Sequence, residues 1–210
     1  MPDMRPPDPR DLGLSPFLPP VLLGILASSF QIILLREFSV CFYGNELTLG
    51  MVLAGWLLCA GLGSLLGTRR PARWPLAGPY ERVLLIWPLA LGAVRLSRYA
   101  YGLLPGEQIG LSGAAPTALA AALLVSFPLG RLFADNVKAA NGGVARVYVL
   151  ESLGAAAAGF FLQGALLPRL SNWASAAAVG TFGLVLVRFF PGPRRVQAPW
   201  RPGWPRPPGP

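Results

Sequence analysis

The most constraining feature of this 210-residue chain is a series of six apolar stretches, each close to the length of a membrane-spanning helix. A helix of about 20 residues crosses the hydrocarbon core of a bilayer. Apolar side chains make up 53% of the chain and charged side chains 13%, roughly half the charged share of an average soluble protein. The pattern therefore predicts a membrane protein rather than a water-soluble globule.

The predicted fold class is all-α, a polytopic membrane helix bundle of about six transmembrane helices. A disordered tail over 1–16 precedes the membrane domain over 17–190, and a disordered tail rich in proline and arginine follows over 191–210. The predicted spans are 17–35, 47–67, 83–104, 116–134, 147–167 and 172–190. In the fourth span Pro128 predicts a kink or an end of the helix, because proline removes a backbone hydrogen bond.

The distribution of basic residues predicts the orientation of the bundle. Fourteen of the 18 lie in the two tails, in the loops after the second and fourth spans, or at the ends of spans on that same side, and four lie toward the opposite side. Because cytoplasmic loops carry an excess of lysine and arginine, both termini are predicted to be cytoplasmic. The same rule accounts for the net charge of +9, so no nucleic-acid partner is predicted.

The residue inventory gives little support for catalysis by this chain. Histidine is absent, which removes the usual general base and the commonest metal ligand. Cys41 and Cys59 lie far apart without a metal-binding spacing, so no metal is predicted. A glycine-rich string over 60–67 lies within a span with no strand before it, so neither a dinucleotide site nor any other cofactor is predicted.

Small residues at four-residue spacing predict close contacts between helices, because small side chains let helix backbones approach each other in lipid. The predicted packing residues are Gly63, Gly67, Gly154, Ala158 and Gly159.

Arg95 and Arg98 lie inside the third span, three residues apart on one face and beside two tyrosines. An arginine near the middle of a bilayer is costly. The pair therefore either extends to an aromatic interface or forms a buried site for an anion or carboxylate.

Polar side chains in and beside the spans are the candidates for a solute site or for ion pairs. Gln31 shares a helix face with Gly24 and Ser28, and that face is predicted to point into the bundle. The other polar groups lie near the ends of the spans. Either they form ion pairs and cap loops at the interface, or they form a solute site. The full candidate set is Gln31, Arg36, Glu37, Asn45, Glu46, Arg131, Asp135 and Glu151.

Glu151 is the acidic residue that we expect to be buried most deeply. It lies about one turn inside the fifth span, where a carboxylate is costly unless it is paired, hydrated or protonated. Either it pairs with Arg131 or Arg146, or it holds a cation or proton.

Three stretches carry a family resemblance: QIILLREFSVCFYGNELTLG from Gln31, FPLGRLFADN from Phe127 and VYVLESLGAAAAGFFLQGALLP from Val147. They resemble the integral-membrane domain that is fused ahead of a spermidine-synthase-like aminopropyltransferase domain in some bacterial proteins. That membrane region resembles half of a major-facilitator transporter. The resemblance implies a multi-pass protein of the bacterial inner membrane, and it covers most of residues 17–190.

Two departures shape the functional expectation. Gln31 stands where family members often have an acidic residue, and no aminopropyltransferase portion follows the sixth span. No residue of the chain can therefore inherit the catalytic roles, and whether it takes part in an enzyme stays open. Besides the bilayer, the resemblance implies an aminopropyltransferase-like partner and a polyamine ligand. The alternatives are half of a small-solute transporter that works as a homodimer, or a non-catalytic remnant of a truncated gene.

Overall fold

The structure is a computed structural model that describes residues 17–43, 46–71, 76–104, 107, 109–140 and 143–190. The two predicted tails lie outside the described residues. All regular secondary structure in the described ranges is helical, which confirms the predicted fold class.

Six α-helices follow one another along the described chain, and five of them are long and apolar enough to cross a membrane. The sixth is apolar but shorter. Which part of each helix lies in the hydrocarbon region stays a prediction. The elements are α1 (Leu18–Cys41), α2 (Glu46–Thr68), α3 (Ala77–Ala100), α4 (Leu111–Ala139), α5 (Val144–Phe161) with a π-helical turn (Leu162–Leu166), and α6 (Asn172–Val187).

Prolines begin one helix and are accommodated inside another. Pro19 and Pro20 lie in the first turn of α1, where a backbone N–H would have no helical partner. Pro128 lies inside α4, which continues to Ala139, so the expectation that the helix could end there is wrong. Close packing of α2 along α4 on both sides of Pro128 supports the helix through the interruption.

Two parallel helix pairs form the frame of the bundle. The short connections make successive helices antiparallel, so α1 runs parallel to α5 and α2 runs parallel to α4. Gly24 of α1 faces Gly154 of α5, and Gly63 of α2 faces Gly130 of α4. At each of the four glycines, a Cβ atom would overlap a backbone carbonyl oxygen of the partner helix.

The two glycine crossings share one pattern. Each glycine faces the carbonyl group of the residue three positions before the partner glycine. Suppose that the first three helices exchange places with the last three, α1 with α4, α2 with α5 and α3 with α6. The α1–α5 pair then becomes the α4–α2 pair, so the two pairs are equivalent. Since α1 and α4 run in opposite directions, the bundle has the arrangement of two inverted three-helix units.

Helix α1 is central and contacts all five other helices. Its Phe30 ring stacks on Trp87 of α3 at a centroid distance of 4.2 Å, and apolar side chains surround the stack. Large apolar side chains such as Leu57 and Phe160 are exposed on the outer faces of α2 and α5. Such faces suit contact with lipid, and the middle of the bundle is packed rather than open.

Candidate functional site

The bundle carries polar side chains at both of its ends. We call them the Glu37 end, where α1 and α3 terminate, and the Tyr80 end, where α2 and α4 terminate. The charge distribution predicts that the Tyr80 end faces the cytoplasm. The two ends differ in how their glutamates, Glu37 and Glu151, are partnered among the described residues.

Glu37 is the most completely buried acidic side chain of the described residues, with 0% of its surface exposed. Arg95 of α3 donates from Nε to Glu37 Oε1 at 2.7 Å, and Asn172 of α6 donates from Nδ2 to Oε2 at 2.9 Å. The Cys41 thiol, one turn along α1, lies 3.8 Å from Oε1. Glu37 therefore links three helices through a charge-assisted network.

The ion pair with Glu37 favours the second interpretation of Arg95, in which it binds a carboxylate. Its guanidinium binds a buried carboxylate while about half of its side-chain surface, 49%, stays exposed. Burying a carboxylate is costly unless it is paired and hydrogen-bonded, and both oxygens of Glu37 meet that condition. Glu37 was expected just beyond the first span, but α1 continues past it to Cys41 and turns it into the bundle.

Arg98 binds backbone carbonyl groups at the same end. Its Nη1 donates to the Cys41 carbonyl at 2.5 Å, and its Nη2 donates to the Leu104 carbonyl at 3.0 Å. Its guanidinium also lies over the Tyr43 ring, 5.2 Å from the centroid. Arg98 therefore satisfies carbonyl groups left over where α1 and α3 end.

The Tyr80 end contains a second group of polar side chains, which we call the Tyr80 cluster: Tyr80, Asp135, Asn136 and Glu151. The buried Tyr80 hydroxyl donates to the Pro19 carbonyl at 2.6 Å and accepts from Asn136 Nδ2 at 2.8 Å. Asp135 and Glu151 both lie close enough to interact electrostatically with this hydroxyl. The cluster thus brings together groups from α3, α4 and α5.

Glu151 differs from Glu37 in its surroundings. It is half-buried on α5, and it has no hydrogen-bond or ion-pair partner among the residues the structure describes. The expectation that it is the most deeply buried acid is wrong, because Glu37 and Asp135 are buried more completely. Arg146, one of its predicted neighbours, instead lies over the Phe17 ring at 4.5 Å.

The remaining candidate residues are dispersed. Gln31 is half-buried in the middle of α1, and Glu46 is exposed at the first position of α2. Arg36 is exposed and donates to the Leu167 carbonyl at 3.3 Å. Asn45 lies outside the described residues. The described candidates therefore lie at both ends of the bundle, with Gln31 between them, and do not form one site.

Arg131 lies beside Asp135 at the Tyr80 end. Both line a small cavity of about 160 Å³ between α3 and α4. The Arg131 Nε is buried and has no hydrogen-bond acceptor among the described residues.

The predicted packing glycines lie at helix crossings. Gly63 and Gly154 are buried against backbone carbonyls, and a Cβ on Gly67 would lie 2.7 Å from the Ala134 Cβ. Ala158 is buried, and Gly159 lies beside Ser28. Gly24, assigned from the sequence to a polar face with Ser28 and Gln31, is instead a packing residue.

Three polar residues of these sites are not in the candidate set from the sequence: Tyr80, Asn136 and Asn172. Tyr80 precedes the third predicted span and Asn172 begins the sixth, so both read as interface residues. Asparagine is common at the starts of helices, so the position of Asn172 gave no signal that it binds Glu37. No group of metal-ligating side chains occurs within the described ranges.

The helices and their polar ends define a multi-pass integral membrane protein of the all-helical class. No protein-family model, curated protein or solved structure matches the chain.

Proposed function

We propose that the chain is a membrane domain that serves a polyamine-synthesising partner and binds a small cationic amine at the Tyr80 cluster. The observation that carries this proposal is Glu151, a half-buried carboxylate in an apolar helix with no partner among the described residues. Ionisable groups in membrane helices are costly and tend to mark substrate or ion pathways. An ammonium group would supply the missing positive charge.

The surroundings of Glu151 suit an amine. Asp135 contributes a second carboxylate near the Tyr80 hydroxyl, and the Asn136 side chain adds an amide. Ammonium groups are donors only, so they need oxygen acceptors of this kind. The predicted cytoplasmic position of this end would place the amine within reach of an aminopropyltransferase-like partner in the cytoplasm.

The arrangement of the helices supports the same proposal. Two inverted three-helix units also make up each half of a major-facilitator transporter, which is the architecture that the family resemblance implies. The stretches that carry the resemblance lie in α1, α2, α4 and α5, which are the helices that supply the four crossing glycines. Both crossings have the same three-residue offset, as expected if the stretches that carry the resemblance belong to two repeated units.

The test is thermal stabilisation of the detergent-purified protein by putrescine and spermidine. We expect spermidine to raise the melting temperature of the wild type, because a ligand that binds only the folded state stabilises it. Glu151→Gln keeps the shape and removes the charge, and should weaken binding by about 2 kcal/mol or more, roughly thirtyfold.

The matched control is Glu107→Gln, which neutralises an exposed acid at the Glu37 end and should respond to spermidine like the wild type. Sodium chloride at equal ionic strength controls for screening. The proposal of amine binding fails if spermidine stabilises none of the proteins, or if Glu151→Gln responds as strongly as Glu107→Gln.

A second candidate function is solute transport by two copies of the chain. It is favoured by the packed apolar core around the Phe30–Trp87 stack in the middle of the bundle. Half-bundles of this kind enclose a midplane site only when two come together. The molecular mass of the protein in detergent separates this candidate, which requires a dimer, from a domain that works with a different partner.

A further inference from the structure

The Glu37 end contains a cavity of about 460 Å³ that the proposed function does not use. It lies between the last turns of α1 and α3 and is separate from the Tyr80 cluster at the opposite end. Arg95 and Arg98 contribute to its wall, together with Val40 and Tyr99.

The two arginines leave this wall with excess positive charge. Arg95 uses its Nε on Glu37, and its two terminal nitrogens have no oxygen acceptor among the described residues. Arg98 binds three carbonyl groups but no carboxylate within the described ranges. Glu107 is one of those three and binds through its backbone oxygen. Two guanidinium groups therefore line the cavity. The carboxylate bound to Arg95 is the buried Glu37, while the exposed Glu107 carboxylate accepts from the Leu104 N–H and binds neither arginine.

The rest of the cavity is apolar and aromatic. Val40 is 61% exposed and Tyr99 is 80% exposed, so the rim of the cavity is open to the surroundings of the bundle. Guanidinium groups match phosphate in geometry and charge. Aromatic and aliphatic side chains beside them suit the apolar part of an amphipathic molecule.

We propose that this cavity binds a phosphate group, with Arg95 donating from its terminal nitrogens and Arg98 supplying the second positive charge. The phosphate can come from the head group of an anionic phospholipid or from free inorganic phosphate. The two sources differ in one respect, since only the lipid also uses the apolar rim.

The experiment measures the melting temperature of the detergent-purified protein with three additions: phosphatidylglycerol, phosphatidylcholine and inorganic phosphate. At roughly a hundred times its Kd, a bound ligand should raise the melting temperature by about 5 °C or more. Stabilisation by phosphatidylglycerol alone identifies the lipid as the source. Stabilisation by inorganic phosphate as well identifies the bare anion as sufficient.

The variant Val40→Glu places a negative charge on the wall without removing any contact of either arginine, because Val40 is exposed. It should abolish the stabilisation, and the neutral Val40→Gln should retain it. The proposal is overturned if neither phosphatidylglycerol nor phosphate stabilises the wild type, or if phosphatidylcholine is equally effective. An equal response of the two Val40 variants would overturn it too.

Discussion

Arg95→Met is expected to destabilise the folded protein by about 3–5 kcal/mol, the cost of leaving a buried carboxylate without its counter-ion. Glu37 is fully buried, so it cannot turn toward water when Arg95 is lost. Glu37→Gln should cost less, because the amide still accepts a hydrogen bond from Asn172 and Arg95 is already half-exposed. The measurement is denaturation of the detergent-purified variants.

Two further variants make the test specific to the pair. The double variant Glu37→Gln/Arg95→Met should be more stable than Arg95→Met alone, because no charge is then left buried. The matched control is Arg82→Met on the same helix, an exposed arginine whose one hydrogen bond among the described residues goes to the Gly78 carbonyl of its own helix. A loss of stability in Arg95→Met no larger than in Arg82→Met would contradict the assigned network.

Gly63→Ala is expected to have the second large effect. The new Cβ would overlap the carbonyl oxygen of Phe127, so α2 and α4 would have to separate along their closest contact. Overpacking of this kind costs about 1–3 kcal/mol, and the backbone contact favours the upper part of that range. The melting temperature of the purified variant should fall by several degrees, roughly 4–8 °C.

Gly61→Ala is the matched control for Gly63→Ala. A Cβ on Gly61, two residues away on the same helix, meets nothing within 4 Å. Because alanine favours a helix over glycine by about 1 kcal/mol, this change should be neutral or stabilising. Equal destabilisation by the two substitutions would show that the α2–α4 crossing is not where the structure has it.

The glycine crossings illustrate what can be read from the sequence and what cannot. The spacing of Gly63 and Gly67 predicted a packing face, because four residues make about one helical turn. The partner helix could not be predicted, since any small residue on another span would have fitted. Gly130 lies two residues after Pro128, and Gly24 shares a helix face with Ser28 and Gln31, so neither stood out as a packing position.

The Glu37 network illustrates the same limit for polar residues. The sequence placed Glu37 near the edge of the bilayer and offered a carboxylate as one partner for Arg95. The sequence could not show that Glu37 pairs with Arg95, because these residues lie 58 positions apart and Asn172 lies 135 positions from Glu37. Glu37 is buried because α1 continues past residue 35. The alternation of polar and apolar residues after position 35 did not predict that the helix continues.

The most direct test of the account is disulfide cross-linking between α2 and α4, the pair that defines half of the frame. In a background without Cys41 and Cys59, the pair Gly55→Cys/Ala122→Cys should cross-link on mild oxidation. Its two Cβ atoms would lie 3.6 Å apart, within the range of about 3.5–4.5 Å that a disulfide requires. Cleavage at a protease site inserted between α3 and α4 reports whether the two halves stay joined.

We expect the cleaved Gly55→Cys/Ala122→Cys protein to remain one species on a non-reducing gel and to separate when reduced. The control pair Gly61→Cys/Ala122→Cys should separate under both conditions, because Gly61 faces away from every other helix the structure describes. Failure of the first pair to cross-link, or equal cross-linking of both pairs, would contradict the parallel α2–α4 crossing on which the bundle is built.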